Sequence, residues 1–350
     1  MKEWTTDSLQ DRYSRQIRFS HIGRDGQALL QRGRVAIVGM GALGSAISQH
    51  VVRAGVGYVR IIDRDVVEWS NLQRQMLYTE QDASALLPKA EAAASRLREM
   101  NSSVTIEAHT ADLTSLNADE LLGDVGLILD GSDNFSVRYL MNDYSLRSGI
   151  PWIYGGAVGA SGMTMTFRPG YTSCYRCLFP EAPAPGTTDT CDTAGIISPI
   201  IDIIASVQAS EALKWLTGNI AALHGTLFQV DLWNNSWLPL QMGEARRPDC
   251  PACGKGQYDY LNGGHSETMA VVLCGRHSVH VTPAAPAHLD LEQLSRSLSA
   301  AGPVSCNAFL LKLELPAGMS LVLFKDGRAL VQGTEDLAKA RSIYAEILGV

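Results

Sequence analysis

Apolar residues recur along this chain in two alternating rhythms. Short runs rich in Val and Ile, at Arg34 to Val38, Tyr58 to Ile62, Val104 to His109 and Val125 to Asp130, predict buried strands. Between them, Ala42 to Ala54, Pro88 to Met100 and Phe135 to Ser148 predict helices. Strand, helix and strand at this spacing imply an α/β fold: a doubly wound, Rossmann-like, mostly parallel sheet. Strands are also expected at Trp152–Tyr154, Met163–Phe167 and Thr226–Asp231. A helix is expected from Ile200 to Leu216, on the apolar spacing of Ile200, Ile204, Val207, Leu213 and Leu216. Residues 1–33 are polar, with Arg12-Tyr-Ser-Arg-Gln16 ahead of a mixed segment from Ile17 to Leu30.

The rhythm breaks twice. Pro180 to Gly195, with its prolines and Gly-Thr-Thr-Asp-Thr, predicts a long loop. Leu261-Asn-Gly-Gly264 predicts a linker, and a second, smaller α+β pattern follows. There, Val279–Val281, Phe309–Leu315 and Leu321–Phe324 predict strands, Leu289–Ala300 and Glu335–Leu348 predict helices, and Lys325-Asp-Gly327 is a hairpin signal. The expected domains are therefore 1–264 and 265–350.

Composition narrows the function classes. The 350 residues are 46% hydrophobic and 19% charged, ordinary for a globular protein. A net charge of −7 gives no support for a nucleic-acid surface. The best candidate for a membrane segment, Ile196 to Val207, is broken by Pro199 and Asp202. Seven cysteines, an odd number, and no secretory signal point to a reducing, cytoplasmic setting.

Four of those cysteines form two pairs, Cys174-Tyr-Arg-Cys177 and Cys250-Pro-Ala-Cys253. Each pair offers two thiolates from one tight turn, and two pairs complete a tetrahedral zinc site. Such a site leaves no open coordination position, which makes it structural rather than catalytic. Two unrelated redox or buried cysteine pairs are the competing reading.

Upstream stands Gly39-Met-Gly-Ala-Leu-Gly44, directly after the first strand run. Gly39 allows a tight turn, Gly41 lets backbone approach phosphate, and Gly44 lets the helix pack on the strand. Asp63, at the next strand end, is placed to hold a ribose hydroxyl. Alone, these features favour a nicotinamide or flavin enzyme. Arg74, in Ser70-Asn71-Leu72-Gln73-Arg74-Gln75, and Lys89 add cations suited to a triphosphate. Asp130-Gly-Ser-Asp133-Asn134 ends the fourth strand with acids suited to Mg²⁺. Attack at phosphorus builds negative charge that such a set would offset, whereas hydride transfer needs none of it.

These motifs, with Arg12-Tyr-Ser-Arg15-Gln16, Asp63-Arg-Asp65 and Thr190-Cys191-Asp-Thr-Ala-Gly195, resemble the ubiquitin-activating-enzyme-like family. Within it they resemble the bacterial thiazole-biosynthesis and molybdopterin-synthase adenylyltransferases, from about Asp11 to Gly254. The resemblance implies ATP-dependent adenylation of the C-terminal Gly-Gly carboxylate of a small ubiquitin-like sulfur carrier protein, with release of pyrophosphate. It implies that Gly39, Gly41, Ala42, Gly44, Asp63, Asp65 and Ser70 to Arg74 bind the nucleotide, together with Lys89, Asp133 and Asn134. Asn71, Arg74 and Lys89 would contact phosphates, Asp133 would order Mg²⁺, and Arg15 would enter a partner subunit's ATP site in a homodimer. A Lys-Asp-Gly-Arg-Ala hairpin near the C-terminus favours the thiazole branch, and a sulfur-donor enzyme is a further expected partner.

Cys191 has two readings. It is a sulfur-relay nucleophile that links covalently to the carrier, or an ordinary loop cysteine whose neighbours Asp189 and Asp192 disfavour the thiolate. Tyr13, Trp152 and Trp215 are expected in packing, and His277 and His280 at the surface. No rhodanese-like loop surrounds Cys274, and carrier docking and dimer support are the roles considered for residues 265–350. Three rival functions remain at this point: activation of a molybdopterin-synthase small subunit or a peptide precursor, a NAD(P)-dependent oxidoreductase, and a non-catalytic zinc-stapled scaffold.

Overall fold

The computed structural model describes residues 11–183, 191–242, 245–263, 270–273, 277–283 and 288–348, with backbone only at 191–192 and 270–273. Two compact units divide the chain, Met1–Gly264 and His265–Val350.

The first unit is built on one eight-stranded sheet. Its strands are β1 (Arg34–Val38), β2 (Tyr58–Ile62), β3 (Thr105–His109), β4 (Leu127–Asp130), β5 (Trp152–Val158), β6 (Ser161–Phe167), β7 (Thr226–Asp231) and β8 (Ser236–Gln241). They lie in the order β3-β2-β1-β4-β5-β6-β7-β8. From β3 to β5 neighbours run parallel, and from β5 to β8 antiparallel. Strands β1, β2 and β4 are buried on both faces, which is why they read as near-continuous apolar runs, whereas β3, expected to be buried, lies at the sheet edge and buries only Ile106.

Five longer helices flank this sheet: α1 (Gly23–Arg32), α2 (Ala42–Arg53), α3 (Lys89–Met100), α4 (Phe135–Ser148) and α5 (Ser198–Leu216). Residues of α2, α3 and α5 share one core cluster with Ile37, Ile61 and Leu129. Tyr139, Met141 and Tyr144 of α4 share the other, with Ala36, Ile128 and Trp152. Helix α4 is stopped by Gly149, which takes the left-handed conformation (φ +77°) at its C-cap. Tyr13 and Trp152 are buried in packing, as their sequence context predicts. Helix α1 was hidden in the sequence by the glycine at its start, Gly23, and one inside it, Gly26. It buries Gly26, Gln27 and Leu30, and the Gln27 side chain donates to the Ala54 carbonyl at 3.0 Å.

The second unit carries a six-stranded antiparallel sheet. Its strands are β9 (Ala270–Leu273), β10 (Ser278–Val281), β11 (Val304–Cys306), β12 (Leu310–Glu314), β13 (Ser320–Phe324) and β14 (Ala329–Gln332), in the order β11-β12-β13-β14-β10-β9. Helices α6 (Leu291–Leu298) and α7 (Leu337–Leu348) pack on Val279, Leu311, Leu323 and Val331. The hairpin at Lys325–Gly327 closes with the Phe324 amide bonded to the Arg328 carbonyl at 2.9 Å and Gly327 at φ +85°. His280 is buried rather than at the surface, because β10 is an interior strand between β14 and β9. His277, just before it, is exposed. Among the described residues no helix is long and apolar enough to cross a membrane.

Candidate functional site

Parallel register builds the cleft. Val38 pairs with Ile62 on one side and with Asp130 on the other, so Gly39, Asp63 and Gly131 leave the sheet side by side. The chain order reverses at β1, which opens a crevice at the C-terminal strand ends. Gly39 turns there at φ +88°, and its amide donates to the Ile62 carbonyl at 2.8 Å.

The glycines divide by what a side chain would meet. A Cβ on Gly39 would lie 2.8 Å from the Gly131 backbone, and one on Gly44 would lie 1.9 Å from the Gly39 carbonyl oxygen. Gly131, which sequence reading passed over, belongs with them: its Cβ would lie 2.4 Å from the same oxygen. Gly41 differs, since a Cβ there meets nothing nearer than 3.9 Å. Its bareness leaves open space before the first turn of α2, which starts at Ala42, where backbone amides and the helix dipole favour phosphate.

Further contacts fix this loop. The Asp63 carboxylate accepts from the Met40 amide at 2.6 Å and from the Asp65 amide at 2.7 Å. The Tyr78 hydroxyl, another residue missed in the sequence, donates to the Met40 carbonyl at 2.7 Å. Lys89 is buried, and its Nζ lies 3.2 Å from the Asp65 carboxylate. Burial raises the Asp63 pKa and Asp65 adds to the rise; Lys89 and the two amide hydrogen bonds oppose it. Asp63, Asp65 and Lys89 therefore form one coupled charge cluster beside the glycine loop.

The polar cluster follows. Trp69–Asn71 forms a single 3₁₀ turn. The buried Asn71 accepts from the Glu68 amide at 3.1 Å, and its own amide reaches Ser70 Oγ at 3.4 Å. Arg74 donates to the Ser70 carbonyl at 2.9 Å. Ser70 and Gln73 are exposed, while Leu72 packs against the main core. Gln75 is buried, and its Oε1 has no hydrogen-bond partner among the described residues.

On the far side of β1, the two acids after β4 separate in role. Asp130 is fully buried and taken up by the fold: Arg138 Nε meets it at 3.0 Å, and the Ser132 amide and hydroxyl donate to it at 2.9 and 2.7 Å. Arg138 also donates to the carbonyls of Ser132, at 2.6 Å, and Gly155, at 2.9 Å. Gln208 of α5 donates to the Asp130 carbonyl at 2.9 Å. This buried network holds the 131–134 loop, which leaves Asp133 exposed at its crest. Asn134, expected at the nucleotide, uses its side-chain oxygen to cap α4, accepting from the amides of Ser136 and Val137. The sequence signal for the network was a buried-strand Asp followed eight residues later by an Arg in the first turn of the next helix.

The cysteine cluster lies apart from these residues in sequence. Cys174 begins a short turn, Tyr175–Leu178, and the Sγ atoms of Cys174, Cys177, Cys250 and Cys253 lie within 4.8 Å of one another. Separations of 3.8, 3.7 and 3.4 Å recur between them. A tetrahedral zinc with sulfurs at about 2.3 Å sets edges of about 3.8 Å, so the four thiols fit that ion. Burial raises the Cys174 pKa, and Cys177, Cys253 and Cys250 push it further. At Cys250, burial is outweighed by hydrogen bonds from the Cys253 and Ala252 amides and from Cys174 and Cys177, which lower its pKa. A cation is what would let the Cys174 thiolate form beside the others. At Cys253, burial leads the rise to about 11.

Two expected residues stand outside both clusters. Arg15 is exposed on the turn Ser14–Ile17. Cys191 opens a turn, Cys191–Ala194, but its side chain, like residues 184–190, lies outside the described residues.

The ThiF family model matches residues 13–252, which take in the glycine loop, Asp133, the first cysteine pair and Cys250. The chain belongs to the ThiF family. A relative from Bacillus subtilis (strain 168), named sulfur carrier protein ThiS adenylyltransferase, is 44% identical over 97% of this chain and 100% of its own length. The SAMP-activating enzyme E1 of Haloferax volcanii is 39% identical over 75% of this chain and 96% of its own. The crystal structure of E. coli MccB with MccA-N7isoASN shares the fold, with a TM-score of 0.61 over 69% of this chain and 75% of that one, at 23% identity.

Proposed function

We propose that this ThiF-family protein adenylates the C-terminal carboxylate of a small ubiquitin-like sulfur carrier ending in Gly-Gly, for thiamine thiazole biosynthesis. The observation that carries this reading is the cleft itself: an open glycine-loop position at Gly41 beside a buried Asp63–Asp65–Lys89 charge cluster, in a chain of this family. The thiazole branch is favoured because the likeness to the ThiS adenylyltransferase extends over 97% of the chain, residues 265–350 included, whereas the likeness to the archaeal relative stops at 75%.

The chemistry follows from the charges. A carrier carboxylate oxygen bonds to the α-phosphorus of ATP, and the bond from that phosphorus to the bridging oxygen breaks, releasing pyrophosphate and leaving an acyl-adenylate. Negative charge accumulates on the phosphoryl oxygens, and Arg74 and Lys89 offset it. Asp63 holds the ribose, and the amides at Gly41 and Ala42 receive phosphate. Asp133 is the residue that orders Mg²⁺, which supplies further positive charge at the phosphates. Its exposed placement on a rigid loop suits a ligand to an ion that arrives with the nucleotide.

The zinc site is structural in this reading, because four sulfurs fill its coordination sphere. Arg15 acts in the partner subunit of a homodimer, which suits its exposure. Adenylation involves no thiol, so Cys191 acts, if at all, in a later sulfur step supplied by a donor enzyme in the cytoplasm. The test is carrier-dependent exchange of label between pyrophosphate and ATP. Exchange that requires a Gly-Gly carrier is expected. NADH binding without any exchange would restore the oxidoreductase alternative.

A further inference from the structure

The segment Arg12-Tyr-Ser-Arg-Gln16 enters the proposed chemistry through Arg15 alone, yet its other side chains are committed to the fold. Tyr13 is buried, and its hydroxyl accepts from Asn101 Nδ2 at 2.8 Å. The same Nδ2 donates to the Val52 carbonyl at 2.7 Å. The Tyr13 ring covers Gly55, where a Cβ would lie 2.5 Å from it. Gln16 donates to Gln27 Oε1 at 2.7 Å and to the Ala54 carbonyl at 2.9 Å. Arg12 donates to the Met100 carbonyl at 3.0 Å. The chain is thus pinned on both sides of Arg15, whose own side chain is exposed on the turn Ser14–Ile17.

Apart from Gln27 of α1, the anchors belong to one end of two helices. Val52, Ala54 and Gly55 lie where α2 closes, and Met100 and Asn101 where α3 closes. Both helices start at the cleft, α2 at Ala42 after the glycine loop and α3 at Lys89. Each has 12 residues, which span about 18 Å. Arg15 is therefore held at the end away from the cleft of its own chain, beyond the reach of an arginine side chain. A group that must meet a reacting centre on another molecule gains most from being fixed beforehand, because its ordering then costs nothing on assembly.

We propose that Tyr13 and Gln16 are positioning residues, which hold the Ser14–Ile17 turn so that Arg15 is presented to a second copy of this chain. The inference rests on the reading of Arg15 as acting in a partner subunit's ATP site. Tyr13 and Gln16 touch neither nucleotide nor carrier, and they act through Arg15.

The test is carrier-dependent pyrophosphate exchange by defined pairs of full-length chains, co-expressed with two different tags and purified through both. Tyr13→Phe combined with Gln16→Ala removes hydrogen bonds at both pins and keeps the ring on Gly55. Alone, this variant should lose about tenfold in exchange, within the range that a small misplacement of a contacting group costs. Paired with Asp133→Ala, it should recover, because its intact Asp133 then meets a correctly held Arg15 from the other chain. A merely structural defect would stay in the variant's own cleft, so absence of recovery in this pair would overturn the proposal. Wild-type exchange by the variant alone would overturn it too. Arg15→Ala paired with Asp133→Ala checks the underlying reading, and recovery is expected there. No recovery in that pair, or no doubly tagged species at all, overturns the role of Arg15 in a partner and this inference with it.

Discussion

In the glycine-loop cleft, packing and hydrogen bonds within the fold set the frame. Aligned strand ends place Gly39, Asp63 and Gly131 side by side, three glycines interlock with no room for a Cβ, and Met40 is tied through its amide to Asp63 and through its carbonyl to Tyr78. The cysteine cluster is the reverse case. Its thiols come from segments far apart in sequence and are drawn together in a buried patch with Leu146 and Ala252. At Cys174, burial and the other three thiols oppose the thiolate form without a cation. A site made by packing should keep its shape when emptied, while a site made by ligation should not.

The sharpest way to break this comparison is to remove the metal. Chelation, or Cys174→Ser, should cost stability on the scale of about 10 kcal/mol that small zinc domains derive from metal. The expected result is a large fall in the thermal midpoint that tracks loss of one zinc per chain. Retained stability in zinc-free protein would mean that packing alone holds the cluster.

Two glycine variants sharpen the other half. Gly44→Ala places a Cβ 1.9 Å from the Gly39 oxygen and should destabilise the fold and abolish nucleotide binding together. Gly41→Ala meets nothing nearer than 3.9 Å and should melt like the wild type while losing nucleotide affinity. If calorimetric melting shows the two variants equally unstable, Gly41 is a packing glycine and the open phosphate space is misplaced.

Smaller effects are expected from the charged groups. Arg74→Ala should lower pyrophosphate exchange by about 100-fold, the range of one lost transition-state charge contact. Asp133→Ala should abolish Mg²⁺-dependent exchange, and neither change should shift the melting temperature by much, because neither side chain is buried. Large losses of stability would place these residues in the frame rather than the chemistry.

The smallest effect concerns pH. Asp143 is fully buried in α4, and burial raises its pKa to about 6, opposed by the Tyr260 amide hydrogen bond and by Arg176. The folded state therefore holds a proton on Asp143 between roughly pH 4 and 6 that the unfolded chain has released. On this account the group's contribution weakens stability as pH rises through that window. Asp143→Asn should flatten that decline and stabilise the protein slightly at neutral pH. An unchanged pH profile of the melting temperature would contradict the assignment.

What the sequence disclosed follows the same division. The parallel strands, the glycine loop and the paired cysteines were legible because each is a local pattern with one physical reading. Strand β8 was not, since its side chains are largely exposed and Pro239 interrupts it, both features of an edge strand. The Asp130–Arg138–Gln208 network was hidden because its members are near in space only after β4, α4 and α5 pack. That packing also decides which acid is spare: sequence reading offered both Asp130 and Asp133 for Mg²⁺, and the fold uses the first for itself. Asn134 shows the same competition, with its side chain given to the helix cap.

The most direct test follows a label placed on the α-phosphate of ATP. With a Gly-Gly carrier present and no sulfur donor, the label should appear on the carrier as an acyl-adenylate, and the γ-phosphate should leave within pyrophosphate. A carrier lacking its terminal glycine should stay unlabelled. Release of free phosphate without label on the carrier, or labelling that ignores the carrier's C-terminus, would contradict the account.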